Sequence, residues 1–167
     1  MKTINVLFIR HGESEANVMT FTHWTVSDPG LTQTGRNQCY ETKRKLHDEG
    51  IKVNKVLCSP LKRAIQSALI VFPRTFITCM PCVAEIGFGL DNICNFSESY
   101  PWVLFHEYQS EPSVEKLKSF LKNCNEDETI AIVCHHKFIK KITNKDLANM
   151  ECVQTTFNVE NNSFKIL

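Results

Sequence analysis

The sequence predicts an α/β fold, a three-layer sandwich with a mostly parallel central sheet. Three observations carry this. Strand-like apolar runs alternate with helix-like patterns along the chain. The first run, residues 4–9, is almost continuously apolar, as a strand covered on both faces requires. The 167 residues are enough for a substantial core, and residues 1–167 are expected to form one domain.

The elements follow in order. The strand over 4–9 runs into Arg10-His11-Gly12-Glu13-Ser14. A polar loop comes next, punctuated by Asp28-Pro29-Gly30. Thr32 caps a helix reaching about residue 49, with Gly50 as its stop. Its apolar stripe is thin (Cys39 and Leu46), which places it at the surface. Residues 53–58 read as the second strand. Ser59-Pro60 then opens a helix, with Ser59 as cap and Pro60 at the first helical position. Leu61, Ala64, Ile65, Ala68, Leu69 and Phe72 recur at core-facing helical spacing, and Pro73 ends the run.

Residues 75–79 form a short third strand. Residues 81–112 are irregular, with Gly, Asn, Ser and aromatics, and are expected to make a long excursion over a site. Trp102, Phe105, His106 and Tyr108 lie in it, available to shape a pocket or simply to pack the segment down. Ser113 caps a further helix with Val114, Leu117, Phe120 and Leu121 on its inner face. Residues 129–134 are a fourth apolar strand. A short helix follows His136 and carries Phe138, Ile139 and Ile142. Residues 153–159 and 163–167 are expected as edge strands, antiparallel to the rest.

Composition excludes several classes. The formal net charge is +1, from 19 Lys+Arg against 18 Asp+Glu. Such a balance argues against broad capture of nucleic acid or of an anionic membrane. No apolar run approaches a membrane span. Lys2 is followed by no signal-peptide core or small-residue cleavage site, so a non-secreted, cytoplasmic protein is expected. Of the eight cysteines, Cys58 and Cys134 end strand-like runs and Cys39 sits in a helix-like one. Reduced, buried thiols explain this better than disulfides. Cys79-Met80-Pro81-Cys82 has redox-pair spacing but opens no helix, and no second pair matches it for zinc. No metal and no cofactor are expected.

Four strands end in residues that bear chemistry. The first delivers Arg10 and His11, the second Ser59 and then Arg63, the third Glu85, and the fourth His135 and His136. Parallel strands bring these ends to one edge of the sheet, where α/β proteins hold their ligands. Taken singly, each has a bland reading, such as a satisfied polar histidine or a solvated arginine. Taken together they describe a metal-free phosphate-transfer site. Arg10 and Arg63 supply planar forks for phosphate oxygens. His11 supplies a nucleophilic nitrogen, provided an acceptor, such as a backbone carbonyl, holds its other ring nitrogen. His135 stabilises charge on the transferring group, and the helix start at Ser59-Pro60 adds partial positive charge. Glu85 protonates the leaving oxygen and then accepts a proton from water, which needs a raised pKa. Gly12 lets the backbone approach a ligand.

These residues resemble the histidine phosphatase superfamily, the phosphoglycerate mutase-like proteins. Arg10-His11-Gly12-Glu13-Ser14, with Asn17 after it, is similar to that family's opening motif. The stretch from Asp28-Pro29-Gly30-Leu31-Thr32 to Gln38 resembles its second block, and Ser59-Pro60-Leu61-Lys62-Arg63-Ala64-Ile65-Gln66-Ser67 its third. Glu85-Ile86-Gly87-Phe88-Gly89 resembles the segment with the acid/base glutamate, and Val133-Cys134-His135-His136 the block with the second histidine. The resemblance implies a phosphoglycerate mutase-like fold. It implies His11 as nucleophile, Glu85 as proton donor, Arg10, Arg63 and His135 as the phosphate pocket, and Asn17 lining it.

Three departures stand out. His136 replaces the family glycine after the second histidine, where it is expected to narrow the substrate pocket or to strain the backbone. Leu90-Asp91-Asn92 stands where Trp-Glu-Gly is common. The chain is also short after His135, which trims the family's C-terminal substrate elements. The implied activity is a phosphatase acting on a small-molecule phosphate ester or a phosphopeptide. Alternatives are a phosphoglycerate mutase, a phospho-ligand-binding pseudoenzyme and, last, a metal-dependent hydrolase. Neither substrate identity nor oligomeric state is legible.

Overall fold

A computed structural model of the protein describes residues 2–19, 26–87, 89–94, 100, 102–105 and 111–167. Among them is a seven-stranded sheet in the order β4-β3-β2-β5-β1-β6-β7. The strands are β1 (Thr3–Arg10), β2 (Lys55–Cys58), β3 (Ile77–Cys79), β4 (Val103–Phe105), β5 (Thr129–Cys134), β6 (Cys152–Asn158) and β7 (Ser163–Ile166). The neighbours from β4 through to β1 pair parallel, and β6 pairs antiparallel with both β1 and β7, so β6 alone opposes the rest and β7 runs with β1, against expectation. The helices are α1 (Glu15–Val18), α2 (Gln33–Asp48), α3 (Lys62–Val71), α4 (Val114–Lys122) and α5 (His136–Thr143).

The near-continuous apolar runs follow from a sheet covered on both sides. Alternate residues of a strand face opposite layers. Ile4, Val6 and Phe8 of β1 pack with Leu117 and Leu121 of α4 and with Phe138 and Ile139 of α5. Leu7 and Ile9 pack on the other face, with Cys39 and Leu46 of α2 and with Ala64, Ile65 and Ala68 of α3. In β5, Ile130 and Ile132 join the first cluster, and Ala131 and Val133 the second. The α/β sandwich with a mostly parallel sheet is therefore the observed architecture. The eight cysteines are free, and Cys39, Cys58 and Cys134 are buried as their patterns suggest.

The caps of α2 and α4 are the expected ones. Thr32 Oγ1 accepts from Gly35 N, and Ser113 Oγ from Lys116 N. Gly50 follows α2 with φ +67°, the left-handed conformation that stops a helix. At α3 the expectation fails. The helix starts at Lys62 with Leu61 as its N-cap, and Ser59 Oγ accepts from Leu61 N rather than from the helix's first turn. The first helical N–H is taken instead by Asp28 Oδ1, at 2.7 Å, from a loop distant in sequence. Of that helix's expected core positions, Leu69 and Phe72 are only partly buried.

Two further corrections concern strands. β6 is an inner strand between β1 and β7, so β7 alone forms that edge. The excursion holds a strand of its own, β4, which extends the sheet beyond β3. It also holds 3-10 turns at Pro81–Val83 and Leu90–Asn92. Phe88, His106 and Tyr108 lie outside the described residues, and Trp102 is exposed at the sheet edge against Phe76.

The turn after β1 is pressed onto α2. A Cβ on Gly12 would lie 2.7 Å from the Gly35 carbonyl oxygen, and one on Gly35 would collide with the Glu13 carbonyl. Glu13 fastens the contact: its N–H donates to Gln38 Oε1, and its carboxylate accepts from Thr32 Oγ1 at 2.7 Å. Gly12 is thus required by helix packing, and it does not line the cavity described below. Gly35→Ala must drive the turn off the helix. It should destabilise the protein by at least the ~1–3 kcal/mol typical of overpacking. Urea denaturation reads this, and an unchanged midpoint would contradict the contact.

Candidate active site

The strand order sets the site. β5 lies between β2 and β1, with Arg10 paired to Cys134 and Cys58 to Val133. The next residues, His11, His135 and Ser59, therefore leave the sheet side by side at its carboxyl edge. A cavity of about 310 Å³ opens there, lined by Arg10, His11, Ser14, Ala16, Asn17, Arg63, Glu85, Asp91, Asn92 and Lys137.

The two histidine rings lie with centroids 5.0 Å apart. His11 is 4% exposed and His135 0%. His11 Nδ1 meets the Gly12 carbonyl at 2.7 Å, and because a carbonyl only accepts, Nδ1 carries the hydrogen. Burial, with Arg63 and Arg10 nearby, holds the His11 pKa well below that of an ordinary histidine. Neutral His11 then presents Nε2 as a lone pair. His135 is depressed for the same reasons, burial first and then Arg63, His11 and Arg10. Neither of its ring nitrogens has a hydrogen-bond partner among the described residues.

The arginines are held from behind. Arg10 Nη1 donates to the Leu147 carbonyl at 2.8 Å, while its buried Nε has no partner among the described residues. Arg63 is 3% exposed. It donates through Nη1 to the Asp91 carbonyl at 2.7 Å and through Nη2 to Asn92 Oδ1 at 2.9 Å. Among the described residues, these two bonds engage two of the five N–H donors of the guanidinium. The excursion therefore does reach the site, by way of Asp91 and Asn92.

Glu85 also lines the cavity, and its Oε1 accepts from Ile86 N at 2.9 Å. Burial raises its pKa, opposed by that bond and by Arg63, Lys137 and His136. Asn17 lines the cavity too, with Oδ1 accepting from Ser14 N at 3.0 Å. His136 does not line it. Its ring turns to Asp146, with Nε2 to Oδ1 at 3.1 Å, and to the Leu147 carbonyl. Its backbone is helical, without the positive φ that a glycine position suggested.

Sequence reasoning left out several contributors. The Leu147 carbonyl carries no residue-type signal at all. Asn149 Nδ2 donates to the His11 carbonyl, and Ser67 Oγ accepts from Gly12 N. Lys137 lines the cavity one residue past the doublet His135-His136. The expected helix start at Ser59-Pro60 is absent, and the first N–H of α3 is used by Asp28.

The model of the histidine phosphatase superfamily (branch 1) matches residues 6–101, more than half of the chain. The chain belongs to this superfamily. Among its relatives is the 2,3-bisphosphoglycerate-dependent phosphoglycerate mutase 1 of Latilactobacillus sakei, 44% identical over 78 residues. That match covers 46% of this chain and 32% of the mutase, so it spans about a third of the relative's length. Among solved structures, the protein histidine phosphatase SixA complexed with tungstate superposes with a TM-score of 0.67 at 12% identity. A variant phosphoserine phosphatase from Entamoeba histolytica, in complex with phosphoserine, also scores 0.67, at 21% identity. Each superposition covers 98% of this chain and 94% of the other. At such identities the likeness establishes the fold, a phosphoglycerate mutase-like α/β sandwich. Members of the superfamily are enzymes, both phosphatases and mutases.

A ligand that binds only the folded state raises its stability with concentration. Inorganic phosphate should raise the melting temperature of this superfamily member, and Arg63→Ala should abolish that rise. An equal rise in the variant would remove Arg63 from the anion site.

Proposed function

We propose that this protein is a metal-independent phosphatase that hydrolyses phosphate monoesters through a phosphohistidine on His11. The observation that supports it best is the set of buried nitrogens left without partners beside a ring that is already anchored. Arg10 Nε and both ring nitrogens of His135 are such atoms, and His11 Nδ1 is committed to Gly12 O. Buried polar atoms are normally satisfied, and these have no partner among the described residues; Arg10 Nε–H and the one N–H of a neutral His135 are donors shaped for an acceptor-rich ligand. A phosphoryl group supplies oxygens for those donors while its phosphorus faces His11 Nε2.

In this reading Arg10, Arg63 and His135 hold the phosphoryl oxygens. His11 Nε2 attacks phosphorus in line as the ester P–O bond breaks. Glu85 gives its proton to the departing oxygen. Water then attacks the phosphohistidine, Glu85 takes the proton from that water, and inorganic phosphate leaves with His11 restored. Small phosphate esters or phosphopeptides of a cytoplasmic pool are the proposed substrates.

The protonation states demand tuning. The first step needs neutral His11 and protonated Glu85. With ordinary pKa values of about 6.5 and 4.3, hardly any molecule holds both at once. Burial lowers His11 and raises Glu85, so the two shifts widen the productive window from both sides. Activity toward esters with poor leaving groups should fall on the acid side as His11 protonates and on the basic side as Glu85 loses its proton. The Glu85→Gln variant should lose the basic limb.

A second reading, a phosphoglycerate mutase, is favoured by the mutase relatives, such as that of Latilactobacillus sakei. A mutase must retain a phosphorylated product beside the phosphohistidine and keep water out. Beyond the two arginines, Lys137 is the further cation that the described cavity lining offers for a second anionic group.

Phosphate release from a panel of monoesters, with chelator present, separates the readings. Wild type should release phosphate and His11→Ala should not. Isomerisation of phosphoglycerate without net release would establish the mutase instead. Glu85→Gln should slow alkyl phosphates by on the order of 100-fold or more, as loss of a general acid does. It should slow p-nitrophenyl phosphate far less. An equal loss on both substrates would remove Glu85 as the proton donor.

A further inference from the structure

The peptide unit joining His11 to Gly12 is gripped at both of its polar atoms by side chains from elsewhere in the fold. Its carbonyl, on His11, accepts from Asn149 Nδ2 at 2.9 Å. Its N–H, on Gly12, donates to Ser67 Oγ at 3.0 Å. Ser67 is buried in α3, one turn beyond Arg63, and its hydroxyl donates to the Arg63 carbonyl at 2.7 Å. Asn149 lies in the connection between α5 and β6, and its amide also reaches Asn17 Oδ1 at 3.4 Å.

The sheet does not supply these bonds. At the end of β1, Arg10 N donates to the Glu151 carbonyl and the Arg10 carbonyl accepts from Met150 N. His11 N then donates to the Cys134 carbonyl, and the ladder stops there. The 11–12 peptide is the first unit past the strand, held among the described residues by the side chains of Asn149 and Ser67.

Its orientation controls the ring. His11 Nδ1 bonds the next carbonyl, that of Gly12, at 2.7 Å. The direction of Nε2 therefore depends on the torsions flanking the 11–12 peptide plane. A peptide held at one polar atom swings about the line joining its Cα atoms, whereas one held at both does not. In-line attack tolerates little such swing, because a misplacement of about 1 Å costs on the order of 100-fold in rate.

We infer that Ser67 and Asn149 are positioning residues, a two-point clamp on the His11–Gly12 peptide that aims Nε2 and keeps the hydrogen on Nδ1. The inference rests on the reading of His11 as nucleophile. Neither residue lines the cavity, so neither is a phosphate ligand. Through Ser67 the clamp also ties the nucleophile's peptide to the helix turn that carries Arg63.

The test compares wild type, Ser67→Ala, Asn149→Ala and the double variant by two measurements. The first is the nitrogen NMR spectrum of the His11 ring in the resting protein at neutral pH. The second is the rate of phosphoenzyme formation from p-nitrophenyl phosphate by rapid quench. Wild type should show a single Nδ1–H tautomer, and each variant a mixture. Each single variant should phosphorylate on the order of 100-fold more slowly with little change in KM. The double variant should lose less than the product of the single losses, because both side chains hold one peptide.

Asn149 is only half-buried, so Asn149→Ala keeps the test decisive where Ser67→Ala fails to fold. A folded Asn149→Ala protein with the wild-type tautomer and the wild-type phosphorylation rate overturns the clamp alone. A wild-type protein that forms no phosphoenzyme overturns the nucleophile reading, and with it the catalytic sense of the clamp.

Discussion

The site depends on three neighbouring parallel strands that end in register. β5 sits between β2 and β1, and the last paired residues are Cys58 with Val133 and Arg10 with Cys134. A shift of one residue in either pairing would turn the strand's side chains to the opposite face. The register is pinned by burial on both sides, since Ile130, Ile132, Ala131 and Val133 are all fully buried, alternately in the two layers. The placement of His11 beside His135 is thus a consequence of core packing along the whole of β1 and β5.

This placement is costly by itself. Arg63 and His135 are buried, and both arginines and both histidines lie in one another's fields. Leaving a buried donor or acceptor unpaired costs about 1–3 kcal/mol, and three such polar atoms, counted among the described residues, belong to Arg10 and His135. The backbone carries part of the burden: carbonyls of Leu147, Asp91 and Gly12 each hold one side chain of the candidate site from behind. A carbonyl orients a cation or ring without bringing a full negative charge that would compete with a phosphate.

Much of this was legible in the sequence, for physical reasons that differ by element. Two-sided burial wrote β1 and β5 as nearly continuous apolar runs, and Thr32 and Ser113 announced their helices because their caps are local. The start of α3 was misread because its cap, Asp28, comes from a distant loop, whereas Ser59-Pro60 imitates a local one. β4 escaped notice because three residues are too few to show a period. The candidate site residues were readable because arginine, histidine and glutamate are costly at strand ends and in buried loops. The roles of Ser67, which ends the third resembling block, and of Asn149 were not, because a serine in a helix and an asparagine in a loop are ordinary. Their meaning lies only in the single peptide they share.

His136 shows how a departure from a family pattern is absorbed by geometry. As the first residue of α5 it has helical backbone, so its side chain leaves along the outside of the helix start rather than into the cavity. There it meets Asp146, which Lys140 also pairs, and approaches the Leu147 carbonyl at 3.4 Å. That carbonyl is the same acceptor that Arg10 Nη1 uses at 2.8 Å. The added ring therefore lies behind the arginine and bears on it through a shared acceptor. A histidine in this place does not line the cavity and shares an acceptor with Arg10, so its consequence belongs to how that cation is held.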